Sequence, residues 1–446
     1  MNLPIITNTQ LRAEDNPLPL SEIAKNGYYT VGSKIYSHKI LALQEATRTG
    51  LPVGWNFNNE AFGSLNWRQS SGVSLRELYR LRAVQLRNKY KYIILAWSGG
   101  GDSTTMIHAF CANNIPVDEV VISWPMTLQD GKFTPNRNDI SATNMPSEWE
   151  FSVKPMMERL KKQYPTLKIT IADNVLNKNE YADDTVLIAE KHSYGSIQRW
   201  RALDQVIQDR VQKYHDVVCV YGVSPVDVSL LDDWVAVNFC DINLAAGVVT
   251  DVTIQGWKRQ VEFFYWSPDM PEIPREQAHV LLHELNANPK LKKLVPQYSI
   301  KNISKGDLQL KQVYYPGDDK DVLIEVLHHV SAYGDGDWQH EMSRRWKKSL
   351  FYKDYPLDNF QVIKQSDTHS RNGTWERFLA KNPHADEYYN PWESAIRAHQ
   401  ALIDPKFFVI KDGQISSYTR FFTPWYPVGR LSAEPVLALP TSMPGP

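Results

Sequence analysis

Residues 92–104, Tyr-Ile-Ile-Leu-Ala-Trp-Ser-Gly-Gly-Gly-Asp-Ser-Thr, hold the clearest chemistry in the chain. An apolar run, Tyr92 to Trp97, predicts a strand. Ser98-Gly99-Gly100-Gly101-Asp102-Ser103 follows, and a helical pattern begins at once. Three successive glycines let backbone approach a ligand with its N–H groups free. A helix beginning near Asp102 adds unsatisfied N–H groups and the positive end of its dipole. Ser98, Ser103 and Thr104 supply hydroxyl donors, and Asp102 is an acceptor suited to magnesium or its water shell. Such a loop is built to hold phosphates. It is not a Walker A loop, which needs G-x-x-x-x-G-K-[ST]; Asp102 follows the last glycine and no lysine lies near. Nor does it have the G-x-G-x-x-G spacing of a dinucleotide fingerprint.

The run resembles the S-G-G-x-D-S signature of the PP-loop ATP pyrophosphatases, the adenine nucleotide alpha hydrolase superfamily. All five defining positions match: Ser98, Gly99, Gly100, Asp102 and Ser103. The resemblance implies a Rossmann-like α/β domain that binds ATP and Mg2+. It implies cleavage between the α and β phosphates and transfer of AMP to a substrate oxygen. Carried onto this chain, Ala96, Trp97, Ser98, Gly99, Gly100, Gly101, Asp102, Ser103 and Thr104 would bind the nucleotide. Asp102, Ser98 and Ser103 would be the catalytic set, with Asp102 on the metal. Ser123 and Trp124, which end the second expected strand, fall near the adenine in this fold. Tyr221-Gly222-Val223-Ser224-Pro225-Val226-Asp227 is similar to the G-V-x-x-x-D turn of the deazaguanine-nitrile synthases, also PP-loop enzymes. Gly222 and Asp227 thereby join the expected pocket. Arg199 and Arg201 could offset charge on leaving pyrophosphate.

Departures from these families narrow the chemistry. The synthases carry a zinc-binding cysteine cluster near the C-terminus, and this chain has none. Residue 2 is asparagine, whereas an asparagine-synthetase type needs cysteine there to hydrolyse glutamine. The loop is also similar to that of the PAPS reductase-like branch, where tryptophan often precedes the serine as Trp97 does. Its catalytic C-terminal cysteine is missing, since the last cysteine is Cys240. Over its length the chain looks like PP-loop proteins of large tailed phages, which implies nucleotide or nucleic-acid modification. The reading is an adenylating ligase or transferase acting on an unidentified acceptor. Two alternatives are a sulfonucleotide-binding protein without the reductase cysteine, and a nucleotide- or nucleic-acid-binding protein without turnover.

Composition sets the outer bounds. The 446 residues suit two or three domains, and 42% apolar with 22% charged residues is ordinary for a globular protein. A net charge of −1 argues against a strong overall field for nucleic acid. The first residues lack a basic stretch followed by an apolar core. No apolar run approaches the roughly 20 residues that span a bilayer. Cys111, Cys219 and Cys240 form no C-x-x-C pair and read as thiols of a reducing, cytoplasmic compartment.

Four regions follow. Residues 1–73 read as an irregular N-terminal extension. Residues 74–260 read as the ATP-binding α/β domain. It opens with a helix at Ser74, where Ser74-x-x-Glu77 is a capping box. Leu75, Leu78, Leu81 and Leu86 trace its apolar stripe, and Arg76, Arg80, Arg82 and Arg87 its solvated face. Strands at 92–97, 119–124, 167–172 and 217–221 alternate with helices at 103–114, 150–164 and 196–214, which implies a parallel sheet. The loop 125–148 is long enough to be functional. Residues 261–420 read as a mostly helical substrate domain, including an amphipathic helix at 275–287. The proline-rich tail 421–446 is expected to lack regular structure. Two further clusters bear on chemistry. His279 and His283 stand four apart and precede Glu284, in an order that differs from H-E-x-x-H. Asp335, Asp337, His340 and Glu341, followed by Arg344, Arg345, Lys347 and Lys348, could receive the acceptor or a nucleic-acid backbone.

Overall fold

In the computed structural model the described residues are 27–36, 39–98, 101–124, 153–173, 203, 206–222, 226, 228–231, 234–241, 260–287, 402–411, 414–419 and 421–431. The N-terminal region is more regular than expected. Strands β1 (Tyr28–Val31), β2 (Lys34–Tyr36) and β3 (Val53–Asn56) form an antiparallel sheet in the order β2-β1-β3. Helix α1 (Lys39–Thr49) packs on all three, and α2 (Asn59–Ser64) follows β3. Strands of three or four residues are too short to show a period, which is why the sequence reads as irregular here.

Helix α3 (Leu75–Lys89) is capped by Ser74, whose side chain accepts from the Glu77 N–H. Glu77 does not complete the capping box; its carboxylate takes both guanidinium bonds of Arg80, at 2.7 and 2.6 Å. The buried face is Leu75, Leu78, Tyr79, Arg82, Ala83 and Leu86, a continuous stripe at helical spacing. Two expectations are corrected. Leu81 lies off that stripe and is exposed, and Arg82 lies on it and is fully buried. Arg82 can be buried because Glu262 (2.8 Å) and the Phe263 carbonyl (3.0 Å) accept from it.

The centre of the molecule is a five-stranded parallel sheet. Its strands are β4 (Tyr92–Trp97), β5 (Glu119–Trp124), β6 (Ile169–Asp173), β7 (Val217–Tyr221) and, after β8 (Val228–Leu231) and β9 (Trp234–Val237), β10 (Gln260–Phe263). The order is β10-β7-β4-β5-β6. Numbered within the sheet this is 5-4-1-2-3, so the first strand is central and the winding reverses beside it, as in Rossmann-type sheets. Ile93–Leu95, Val120–Ile122 and Val218–Val220 have no exposed surface. Unbroken apolar strands are what a parallel sheet covered on both faces requires. Helices α4 (Gly101–Cys111), α5 (Lys154–Gln163), a helical segment at 206–213, and α6 (Glu272–Ala287) accompany the sheet, with α4 packed on β4 and α3. The chain is thus an α/β protein with a Rossmann-like core. Two features differ from expectation: β10 extends the sheet past 217–221, and it runs across the boundary read at 260.

The C-terminal part contains strands as well. Residues 288–401 lie outside the described residues; beyond them β11 (Phe408–Lys411) and β12 (Gln414–Tyr418) form a hairpin, and β13 (Tyr426–Arg430) joins a third sheet in the order β13-β9-β8. Part of the tail is therefore regular. Pro427 is tolerated because β13 is an edge strand whose register shifts between Pro427 and Gly429. The Thr423 hydroxyl accepts from the Phe239 N–H at 3.0 Å. Asp241, fully buried, accepts from Tyr29 (2.9 Å), Lys39 (3.0 Å) and the Phe421 N–H (3.1 Å), joining the N-terminal sheet to the tail.

Candidate functional site

The glycine-rich motif falls where such a sheet binds ligands, beyond the carboxyl end of its central strand, at the reversal of winding. Strand β4 ends at Trp97 and α4 begins at Gly101; Gly99 and Gly100 lie outside the described residues. Around them the loop is cross-tied. The Ser98 N–H donates to the Ser103 hydroxyl at 3.2 Å, and the two hydroxyls are 3.1 Å apart. The Trp97 indole N–H donates to the Thr104 hydroxyl at 2.9 Å. Ser103 and Thr104 are buried, Asp102 is half-buried and Ser98 is exposed. Ser103 and Thr104 thus tie the start of α4 to the end of β4. Ala96, half-buried, pairs with Tyr221 across the sheet.

Gly222 follows β7 directly, and it abuts the loop. A Cβ built there would lie 2.9 Å from Ser103 Cα and 3.2 Å from Ser103 N. Those are backbone atoms, so only glycine allows the end of β7 this close to the first turn of α4. From the next strand over, the Tyr265 hydroxyl donates to the Asp102 carbonyl at 2.8 Å. Tyr265 was not foreseen from sequence. Its signal is the aromatic run Phe263–Trp266, which continues β10 and is buried throughout. On the other flank Trp97 pairs with Ile122, so Ser123 and Trp124 carry β5 past the level of the loop. Asp227, Arg199, Arg201 and the cluster 335–348 lie outside the described residues.

The remaining polar clusters serve the fold. His279 contacts the Trp67 carbonyl at 2.9 Å through Nε2. Among the described residues no group of three or more His, Cys, Asp or Glu is gathered to hold a metal. Glu262, pushed up by burial but pulled down further by Arg82, Lys89 and Tyr90, titrates at about 2. Glu119 opens β5 at the end of the sheet away from the loop. Burial raises its pKa, and Arg210, Thr170, Lys168 and Tyr92 outweigh this to bring it to about 2. Burial pushes the Cys111 and Cys219 thiols up to about 12, which removes them as nucleophiles at neutral pH. Among the described residues no helix is long and apolar enough to cross a membrane.

Compared with known proteins, the chain matches no protein-family model. No curated protein is significantly similar to it. Its own residues and geometry therefore carry the functional argument.

Proposed function

We propose that this chain is an ATP-dependent enzyme of the PP-loop type, which cleaves ATP between the α and β phosphates and adenylates an oxygen of a second substrate. The observation that carries the reading is the position of Ser98–Ser103. A glycine-rich turn without a lysine links the central strand to a helix N-terminus at the winding reversal, with Gly222 packed against it. Loop amides and the helix dipole favour an anion at that point. Asp102, half-buried in the first turn, is the residue that would hold magnesium; the ion would neutralise charge on the departing pyrophosphate. Ser98 would donate to a phosphate oxygen, and Ser103 and Thr104 would keep the turn in register. The catalytic contribution is positioning and charge stabilisation in a fixed frame. An acceptor oxygen attacks the α-phosphorus, the bond to the β-phosphate breaks, and pyrophosphate leaves with the electron pair.

The products test this. Incubation with α-labelled ATP, magnesium and candidate acceptors should yield AMP and pyrophosphate. ADP with phosphate as the sole products would overturn the reading, and tight binding without turnover would favour a nucleotide-binding protein. Asp102→Asn should lower turnover by about 10² or more while leaving the fold intact, as measured by initial rates and circular dichroism.

A further inference from the structure

One buried amide ties Val226 to a chain of contacts that ends at Asp102. Gln277 lies on α6 with no exposed surface. Its Oε1 accepts from the Val226 N–H at 3.0 Å, and its Nε2 donates to the Tyr79 hydroxyl at 2.9 Å. Val226 is fully buried and lies four residues after Gly222. The Tyr79 ring meets the Tyr265 ring edge to face, with centroids 5.3 Å apart and planes at 76°. Tyr265 in turn holds the Asp102 carbonyl. A single side chain thus holds Val226 directly, and reaches the first turn of α4 through two tyrosines. Around Gln277 the buried residues Ile273, Ala278, Leu281 and Leu285 are apolar, and buried Asn286, near the end of the helix, donates to the Arg430 carbonyl at 3.4 Å. Packing alone would be met there by leucine or methionine, whereas a buried amide is tolerated only with its partners in place.

We infer that Gln277 is a positioning residue of the nucleotide site, setting the place of Val226 relative to Asp102 and so the affinity for a nucleoside triphosphate. The inference rests on the ATP-binding reading above. Phosphate recognition by fixed donors is steep in distance, so a small shift of these residues is felt in binding.

The test is calorimetric titration of magnesium–ATP into the full chain, with the melting temperature of each variant recorded. Gln277→Met keeps the volume and strips the Val226 N–H of its acceptor, and should weaken binding about tenfold. Gln277→Glu keeps that acceptor, and the Tyr79 hydroxyl can reverse to donate to it; it should restore most of the lost affinity. Leu285→Ala, on the same helix, lowers stability but leaves the bonds of Gln277 to Val226 and Tyr79 in place, and should bind as the parent does. Equal binding by the parent and Gln277→Met would overturn the inference and leave the ATP site standing. An equal loss in Leu285→Ala would also overturn it, by tracing the effect to general loosening. A parent chain that binds no magnesium–ATP would overturn the ATP reading itself. Should Gln277→Met fail to fold, Tyr79→Phe decides in its place: weaker binding supports the inference and unchanged binding overturns it.

Discussion

A methyl group at position 222 would meet Ser103 Cα at 2.9 Å, and both groups belong to backbone held by the sheet and by α4. Gly222→Ala is therefore expected to destabilise the fold by about 1–3 kcal/mol, the usual penalty for overpacking. On the proposed ATP-binding reading, it should also weaken magnesium–ATP binding further than that loss of stability explains. Urea denaturation and calorimetry on the same preparation separate the two effects. Ser103 offers a contrast, because its hydroxyl accepts from the Ser98 N–H and sits beside the Ser98 hydroxyl. Ser103→Ala should free that N–H and loosen the turn at little cost to overall stability. The motif was legible in the sequence because serine, glycine and aspartate at fixed spacing carry their chemistry locally. Tyr265 and Gln277 were not, because Tyr265 bonds to Asp102 and Gln277 to Tyr79, each more than a hundred positions away, and only the fold brings them there.

At the scale of elements, the buried pair Arg82–Glu262 fastens α3 to the edge strand β10. Arg82→Met should cost about 3 kcal/mol, at the low end for breaking such a pair, because Lys89 and Tyr90 still face Glu262. Adding Glu262→Gln should recover part of that loss, which a double-mutant cycle by chemical denaturation would show. The bounds of β4, β5 and β7 could be read from sequence, since each is an apolar run closed by polar or turn residues. Strand β10 was missed for the opposite reason: it is four residues long, and its Glu262 interrupts the apolar signal. Strand β13 was hidden by Pro427, which reads as a breaker but sits beside a register irregularity, in a strand that is at the edge of its sheet among the described residues. Arg82 was read as solvated because arginines on a helix usually are, and its partner is 180 residues away.

The whole molecule should weaken on acidification in two separable windows. His108 contacts the Tyr164 hydroxyl at 3.0 Å, and burial, then the charge of Arg159, lower its pKa from 6.5 to about 4. Between those values the unfolded chain takes up a proton that the folded chain refuses. Stability present above pH 6.5 is thus lost as pH falls towards 4, by about 3 kcal/mol at most. His108→Gln should flatten that limb in urea titrations at stepped pH. The second window lies lower: Glu119 and Glu262, each brought from 4.5 to about 2, give stability present above pH 4.5 and lost as pH falls through 2. The tail adds a consequence in time. Phe239 and Thr423, 184 residues apart, are bonded to each other, and β13 is the sole neighbour of β9 on that side. At ordinary rates of synthesis of 5–20 residues per second, the edge of β9 waits roughly 10–40 seconds for its partner. During that interval a nascent chain presents an open strand edge, the kind of surface that pairs with other chains. Crowded translation should therefore favour aggregation of unfinished chains.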